Sequence, residues 1–248
     1  MTDDTRRLSM MTEWQKNRKE ERIQKRASAA ECHAAAVATL PGFVNWGKIS
    51  RFNRDICITE KIDGTNAAIG VTEDHRVYAQ SRTRVISPWD DNYGFAAWVE
   101  KNKESLVKLG PGLHFGEWMG VGINRSYQIV ERRFYLFNVE RWAKNEDGQK
   151  IIEEIHGTDH VPVYVVPTIY EGPWFDPEHG TFIPTAAIDA LRDHGSIAIP
   201  GYMRPEGLCI YHKASRQIFK ITLEGDAEHK GGKRDKDGNI ITLELGGF

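Results

Sequence analysis

The stretch Glu60-Lys61-Ile62-Asp63-Gly64-Thr65-Asn66 puts a lysine at the end of an alternating run, just before a turn that needs Asp-Gly. An amine held rigidly at a sheet edge is a nucleophile when unprotonated, a state that neighbouring cations and partial desolvation favour. A charged strand end running into a type I′ turn is the plainer reading of the same residues. Other chemistry-bearing groups follow in chain order: Ser81-Arg82-Thr83-Arg84, Phe115-Gly116-Glu117-Trp118, Phe134-Tyr135-Leu136-Phe137-Asn138, Glu206-Gly207-Leu208-Cys209-Ile210 and Phe219-Lys220-Ile221. Carboxylates at strand ends are usually solvated or ion-paired, and an aromatic in an alternating strand is by default a core residue. Each group is weak by itself; their joint order carries the information.

That order resembles the covalent nucleotidyltransferase superfamily of polynucleotide ligases and capping enzymes. Within it, the stretch His114 to Trp142 (HFGEWMGVGINRSYQIVERRFYLFNVERW) looks like the middle of many phage-type members of the RNA ligase 2-like family of ATP-dependent RNA ligases. The resemblance spans Phe43 to Leu223. It implies that Lys61 is the nucleophile that forms a phosphoramidate with AMP, and that Lys220 stabilises charge on the α-phosphate and pyrophosphate. It places Glu117 on the ribose, Glu206 with a divalent metal on the phosphates (magnesium expected, manganese its stand-in) and Phe137 stacked on adenine, with Phe134 and Tyr135 as competitors. Arg82 matches an arginine near the nucleotide and the nucleic-acid end, Asn66 the last position around the nucleophile, and Glu60 the position that reads the adenine edge, its backbone a candidate for that contact. The implied reaction has three acts: Lys61 attacks ATP, AMP passes to a 5′-phosphate end, and a 3′-hydroxyl displaces AMP to seal. The implied partner is RNA or another polynucleotide with such ends. Two positions depart from the pattern, Thr222 where a second lysine is common and Asn138 where an acid often follows the aromatic. The residues after Lys220 are too few for the separate C-terminal domain of RNA ligase 2, so end recognition is expected to use other surfaces.

These residues need strands to hold them. Short alternating runs at Asp55–Thr59, Ala67–Val71 and Arg76–Gln80, then at Leu113–Trp118, Phe134–Trp142, Val161–Ile169, Gly207–Tyr211 and Gln217–Leu223, predict strands. Tyr93 to Leu109 predicts an amphipathic helix ending at Gly110-Pro111, and Thr185 to Asp193 a short one closed by Gly195. Strands mostly follow strands, so the expected fold is α+β, a nucleotidyltransferase domain of mainly antiparallel sheets with flanking helices and no Rossmann signature. Before it, Thr12 to Val37 lacks Gly and Pro and predicts a polar helix. Its Lys16, Arg18, Lys19, Arg22, Lys25 and Arg26 could make a basic face toward nucleic acid; a solvated helix or a partly disordered leader is the other reading. Residues 1–40 are thus expected to form a helical extension and 41–248 the nucleotidyltransferase domain. A basic turn, His229 to Arg234, and a last strand ending at Leu245 are expected near the C-terminus.

Composition narrows rather than decides. A net charge of -2 offers no global attraction to a polyanion, so a nucleic-acid surface has to be local. The cysteines Cys32, Cys57 and Cys209 are odd in number and lack CxxC spacing, which predicts reduced thiols and a cytosolic protein with no membrane span. There is no GxxxxGK[ST] loop, no GxSxG elbow and no HExxH helix, and His156 and His160 flank a Gly-Thr-Asp loop with poor metal geometry. Arg84 and Arg125 carry an ordinary surface-charge expectation. Two alternatives stay open: a DNA ligase or capping-type guanylyltransferase sharing the nucleophile, and a catalytically lapsed nucleic-acid-binding module.

Overall fold

Asp55–Lys61 alternates two kinds of side chain, so a strand made from it needs two different neighbours. It forms β1, with Ile56 and Ile58 buried on one side and Cys57, Thr59 and Lys61 turned to the other. The structure, a computed structural model, describes residues 3–38, 42 and 45–224. Its contacts divide the chain into two units, Met1–Ile49 and Ser50–Phe248. The first holds α1 (Asp3–Val37), longer at its start than expected, and every side chain described in it is exposed. The expected turn at His229 to Arg234 and strand ending at Leu245 lie outside the described residues.

After β1 the second unit runs through β2 (Thr65–Val71), β3 (Val77–Ser81), β4 (Val85–Ile86), α2 (Phe95–Lys101), α3 (Lys103–Leu106), β5 (Gly112–Gly120) and β6 (Arg132–Leu136). It continues with α4 (Glu146–Glu153), β7 (Val163–Val165), β8 (Thr168–Pro173), β9 (Phe175–Asp176), β10 (Thr181–Phe182), α5 (Ile183–His194), β11 (Gly207–His212) and β12 (Gln217–Thr222). One sheet has the order β12-β11-β1-β8 and the other β4-β3-β2-β5-β6-β7, with β9 and β10 as a separate pair. Every named pairing is antiparallel except β6 with β7. The expected α+β, mainly antiparallel architecture is what the chain adopts.

Helices cover the outer faces. Ala187, Ile188 and Leu191 of α5 pack against Ile56, Ile58, Leu208 and Ile210, which gives the first sheet its core. Phe95, Val99 and Leu106 pack with Trp118, Phe134 and Leu136 on the second. Each buried Ile, Leu, Val or Phe among them contributes about 1.5–3 kcal/mol. A third cluster, with Ile62, Met119, Tyr127, Tyr135, Val166 and Tyr202, joins the two sheets.

Four local expectations are corrected. Asp63-Gly64 does not make a type I′ hairpin, because β1 and β2 belong to different sheets and the chain crosses between them. The helix expected over Tyr93–Leu109 breaks at Asn102, whose amide donates to Trp98 O at 2.7 Å. The strand expected over Phe134–Trp142 ends at Leu136 and gives way to a π turn at Glu140–Lys144. Val161–Ile169 is split between β7 and β8, on different sheets.

Candidate active site

The inner faces of the two sheets enclose a cavity of about 800 Å³. Cys57, Thr59, Lys61, Cys209 and Tyr211 line it from one sheet, and Asn66, Phe115, Glu117 and Phe137 from the other. Ladder register explains the selection. Thr59 stands opposite Cys209 and Cys209 opposite Lys220, while Lys61 stands opposite Gly207 and Gly207 opposite Thr222. Directly opposed residues share a face, so Lys61, Lys220 and Thr222 lie on the cavity side of their sheet. Across the gap, Asn66 is level with Glu117. Arg82 follows Ser81, the ladder partner of Ala67, and so lies exposed one step beyond that pairing, toward Asn66.

Lys61 Nζ sits 2.5 Å from Oε2 of Glu206, the residue just before β11. That oxygen is shielded from solvent and faces the Lys61 amine. Glu117 Oε1 accepts a hydrogen bond from the Gly64 N–H at 3.1 Å. Burial pushes the Glu117 carboxyl up to about 7, against the downward pull of Lys61 and the Gly64 amide. The Cys209 thiol is likewise pushed up by burial, and the charges of Lys61, Glu206, Glu117 and Lys220 all act on it.

Phe137 is half-exposed in the cavity, and its N–H donates to Phe115 O at 3.0 Å. Its two competitors do not line the cavity. Phe134 is buried in the outer core, and Tyr135 stacks on Tyr164 while donating its hydroxyl to Ala198 O at 3.3 Å. Phe115, also half-exposed and on the cavity wall, is an aromatic that the sequence did not single out for the site. Asn138 Oδ1 accepts the Arg141 N–H at 3.1 Å, in the first turn of the π segment.

Glu60 is 1% exposed, and both its oxygens are occupied. Oε1 accepts the Ser196 hydroxyl at 2.6 Å, and Oε2 accepts the N–H groups of Ile197 and Ala198, each at 2.8 Å. Burial raises its carboxyl and these donors pull it back in part. Its side chain therefore fastens the end of β1 to the segment after α5, leaving only its backbone for any contact with a base.

A second fastening was not legible in the sequence. Arg125 Nε donates to Asp63 Oδ2 at 2.9 Å and its Nη1 to Arg204 O at 3.2 Å, two residues before Glu206. Asn124 Nδ2 donates to Asp63 Oδ1 at 2.8 Å and to Gly64 O at 2.6 Å, and the Asp63 N–H donates to the buried Tyr127 hydroxyl at 2.8 Å. Arg125 is thus no ordinary surface charge, whereas Arg84 is an exposed partner of Asp90 at 2.7 Å. His156 packs its ring on Tyr164, and no cluster of metal-ligating side chains occurs among the described residues.

A family model described as RNA ligase matches residues 54–222, which include every residue of this cavity. The chain belongs to the RNA ligase family. Solved structures similar to this family member include Naegleria gruberi RNA ligase variants with ATP and Mn, at TM-scores of 0.47 and 0.48 and identities of 17% and 18%. They cover 74% and 75% of this chain and 56% and 58% of theirs. The same ligase with PPi aligns at a TM-score of 0.45 and 18% identity, over 74% of this chain and 57% of that one. The chain thus spans little more than half the length of these relatives. No curated protein matches it. No helix among the described residues of this RNA ligase family member is long and apolar enough to cross a membrane.

Proposed function

We propose that this chain is an ATP-dependent RNA ligase that works through a covalent lysine–AMP intermediate, with residues 41–248 as the transferase domain. The observation that supports the proposal is that Lys61, paired with Glu206, and Glu117 line one cavity from facing sheets, with Lys220 on the same face of its sheet as Lys61. Lys61 Nζ loses its ammonium proton to solvent and attacks the α-phosphorus of ATP; a P–N bond forms, the P–O bond to pyrophosphate breaks with its electron pair leaving on pyrophosphate, and Nζ releases a second proton to solvent. Lys61 is held in an ion pair, so the pair has to part before attack. Lys220, on the same face, offsets the negative charge that grows on the phosphates. Glu117 accepts from the ribose, Phe137 stacks on adenine, and the Glu60 backbone and Asn66 line the base and nucleoside side. Arg82 is assigned to the nucleic-acid end.

The donor set fits a hard divalent ion, because Glu206 is a carboxylate that the parting of its pair with Lys61 would free, and magnesium takes one or two carboxylates plus substrate phosphates. Glu206 would hold magnesium or manganese, and the ion when bound would neutralise phosphate charge. AMP then passes to a 5′-phosphate end, and a 3′-hydroxyl displaces it to seal the strand, the chemistry of RNA repair in a cytoplasm. Incubation with α-labelled ATP and magnesium should yield an acid-labile protein adduct that Lys61→Ala abolishes. A wild type left unlabelled by ATP with either metal sinks the proposal.

A further inference from the structure

The charges of α1 are sorted around its axis. At about 100° per residue, Lys25, Arg18, Arg22, Arg26 and Lys19 fall within an arc of about 120°. Of the carboxylates of the same stretch, Glu13, Glu20 and Glu31 fall on the opposite side, while Glu21 flanks the arc about 40° from Lys25 and Lys16 lies outside it. All of these side chains are exposed, and no ion pair or side-chain hydrogen bond involves them among the described residues. Arg18 lies over the Trp14 ring at 4.8 Å, so an aromatic borders the cationic strip. Apolar contact does not account for the helix. Trp14 and Ile23, 58% and 59% exposed, project about 180° apart around the axis, so they cannot form the seam of a coiled coil or the buried face of a membrane-surface helix. What α1 offers a partner is one face of fixed positive charge.

We infer that this face of α1 binds the phosphate backbone of the polynucleotide substrate. The inference takes its ligand class from the RNA ligase reading, and it explains how a chain of net charge -2 presents a polyanion site at all: within the helix, Glu13, Glu20 and Glu31 are turned away from it. Contacts to phosphate position a strand without reading sequence, so the face serves any RNA end regardless of its bases.

The test uses the full chain with Arg18→Gln, Arg22→Gln, Lys25→Gln and Arg26→Gln together. Glutamine keeps a helix propensity close to that of Arg and Lys, and helical content is checked by circular dichroism. Binding of a fluorescein-labelled, 5′-phosphorylated oligoribonucleotide is followed across salt. The variant should bind at least about tenfold more weakly at low salt, and its log K against log salt slope should shallow by about two to three. A Glu13→Gln, Glu20→Gln, Glu21→Gln variant should bind no more weakly than wild type, and Arg18→Lys, Arg22→Lys, Arg26→Lys should retain affinity. Unchanged affinity and slope in the glutamine variant overturn the inference, as does a loss confined to self-association in sedimentation, which would make a second copy the partner. Lysine adenylylation is the separate readout: all variants should form the adduct, and its absence from every protein would count against the ligase reading alone.

Discussion

Glu60 is a buried carboxylate and Glu117 a half-buried one beside the same strand end, and their partners set them apart. Glu117 has one backbone donor, and its carboxyl titrates at about 7, above the ordinary value of 4.5. A raised folded-state value means that ionisation costs stability: the penalty is absent below about 4.5 and complete above about 7. Wild type should therefore lose on the order of 3 kcal/mol relative to Glu117→Gln between these limits, read from denaturant melts at both ends of the range. Parallel pH dependences would contradict it. Glu60 instead gathers a hydroxyl and two amides. Glu60→Ala leaves those donors buried without a partner and should cost about 3 kcal/mol. It should also slow adenylylation with little change in KM for ATP, since no side-chain contact with nucleotide is lost. Lys61, Glu117, Glu206 and Lys220 could be picked out as candidates because each sits in a short motif. Glu60's task was not legible, because Ser196 lies 136 positions away and nothing local announces it.

At the scale of elements, Gly64 shows what alternation cannot reveal. The Asp-Gly pair reads as a hairpin turn, yet a Cβ on Gly64 would stand 2.4 Å from Trp118 O, a backbone atom with no easy retreat. Glycine is there for close approach between the crossing segment and β5. Gly64→Ala should destabilise by about 2 kcal/mol or more and abolish the lysine adduct, checked by thermal melting alongside labelling. The strands that flank the site were readable from their period of two, since one face of each meets helices and the other the cavity. α4 was not, because Gly148 interrupts its pattern; the structure needs that glycine where a Cβ would collide with Arg141 O. The segment at 124–128 was equally hidden. Asn124, Ser126, Tyr127 and Gln128 all adopt positive φ, a cost of about 1 kcal/mol or more each that the bonds to Asp63 and Gly64 help to offset.

At the scale of the molecule, the division between Ile49 and Ser50 separates a charged helix from the unit that holds the whole cavity. Removing residues 1–40 should leave adenylylation at the wild-type rate while weakening RNA affinity; a truncated protein that no longer forms the adduct would place part of the transferase in the extension. Bulk composition concealed the basic strip because the sum of charges erases their sorting by face. The two sheets carry a different kind of order. The groups assigned to the phosphates, Lys61, Glu206 and Lys220, ride on or beside one sheet, while Asn66, Glu117 and Phe137, assigned to the nucleoside, ride on the other. The fold is therefore a pair of jaws with a division of labour. On the proposed reading a nucleotide between the sheets would touch both at once, so the width of the gap bears on how far the Lys61 amine stands from the α-phosphorus.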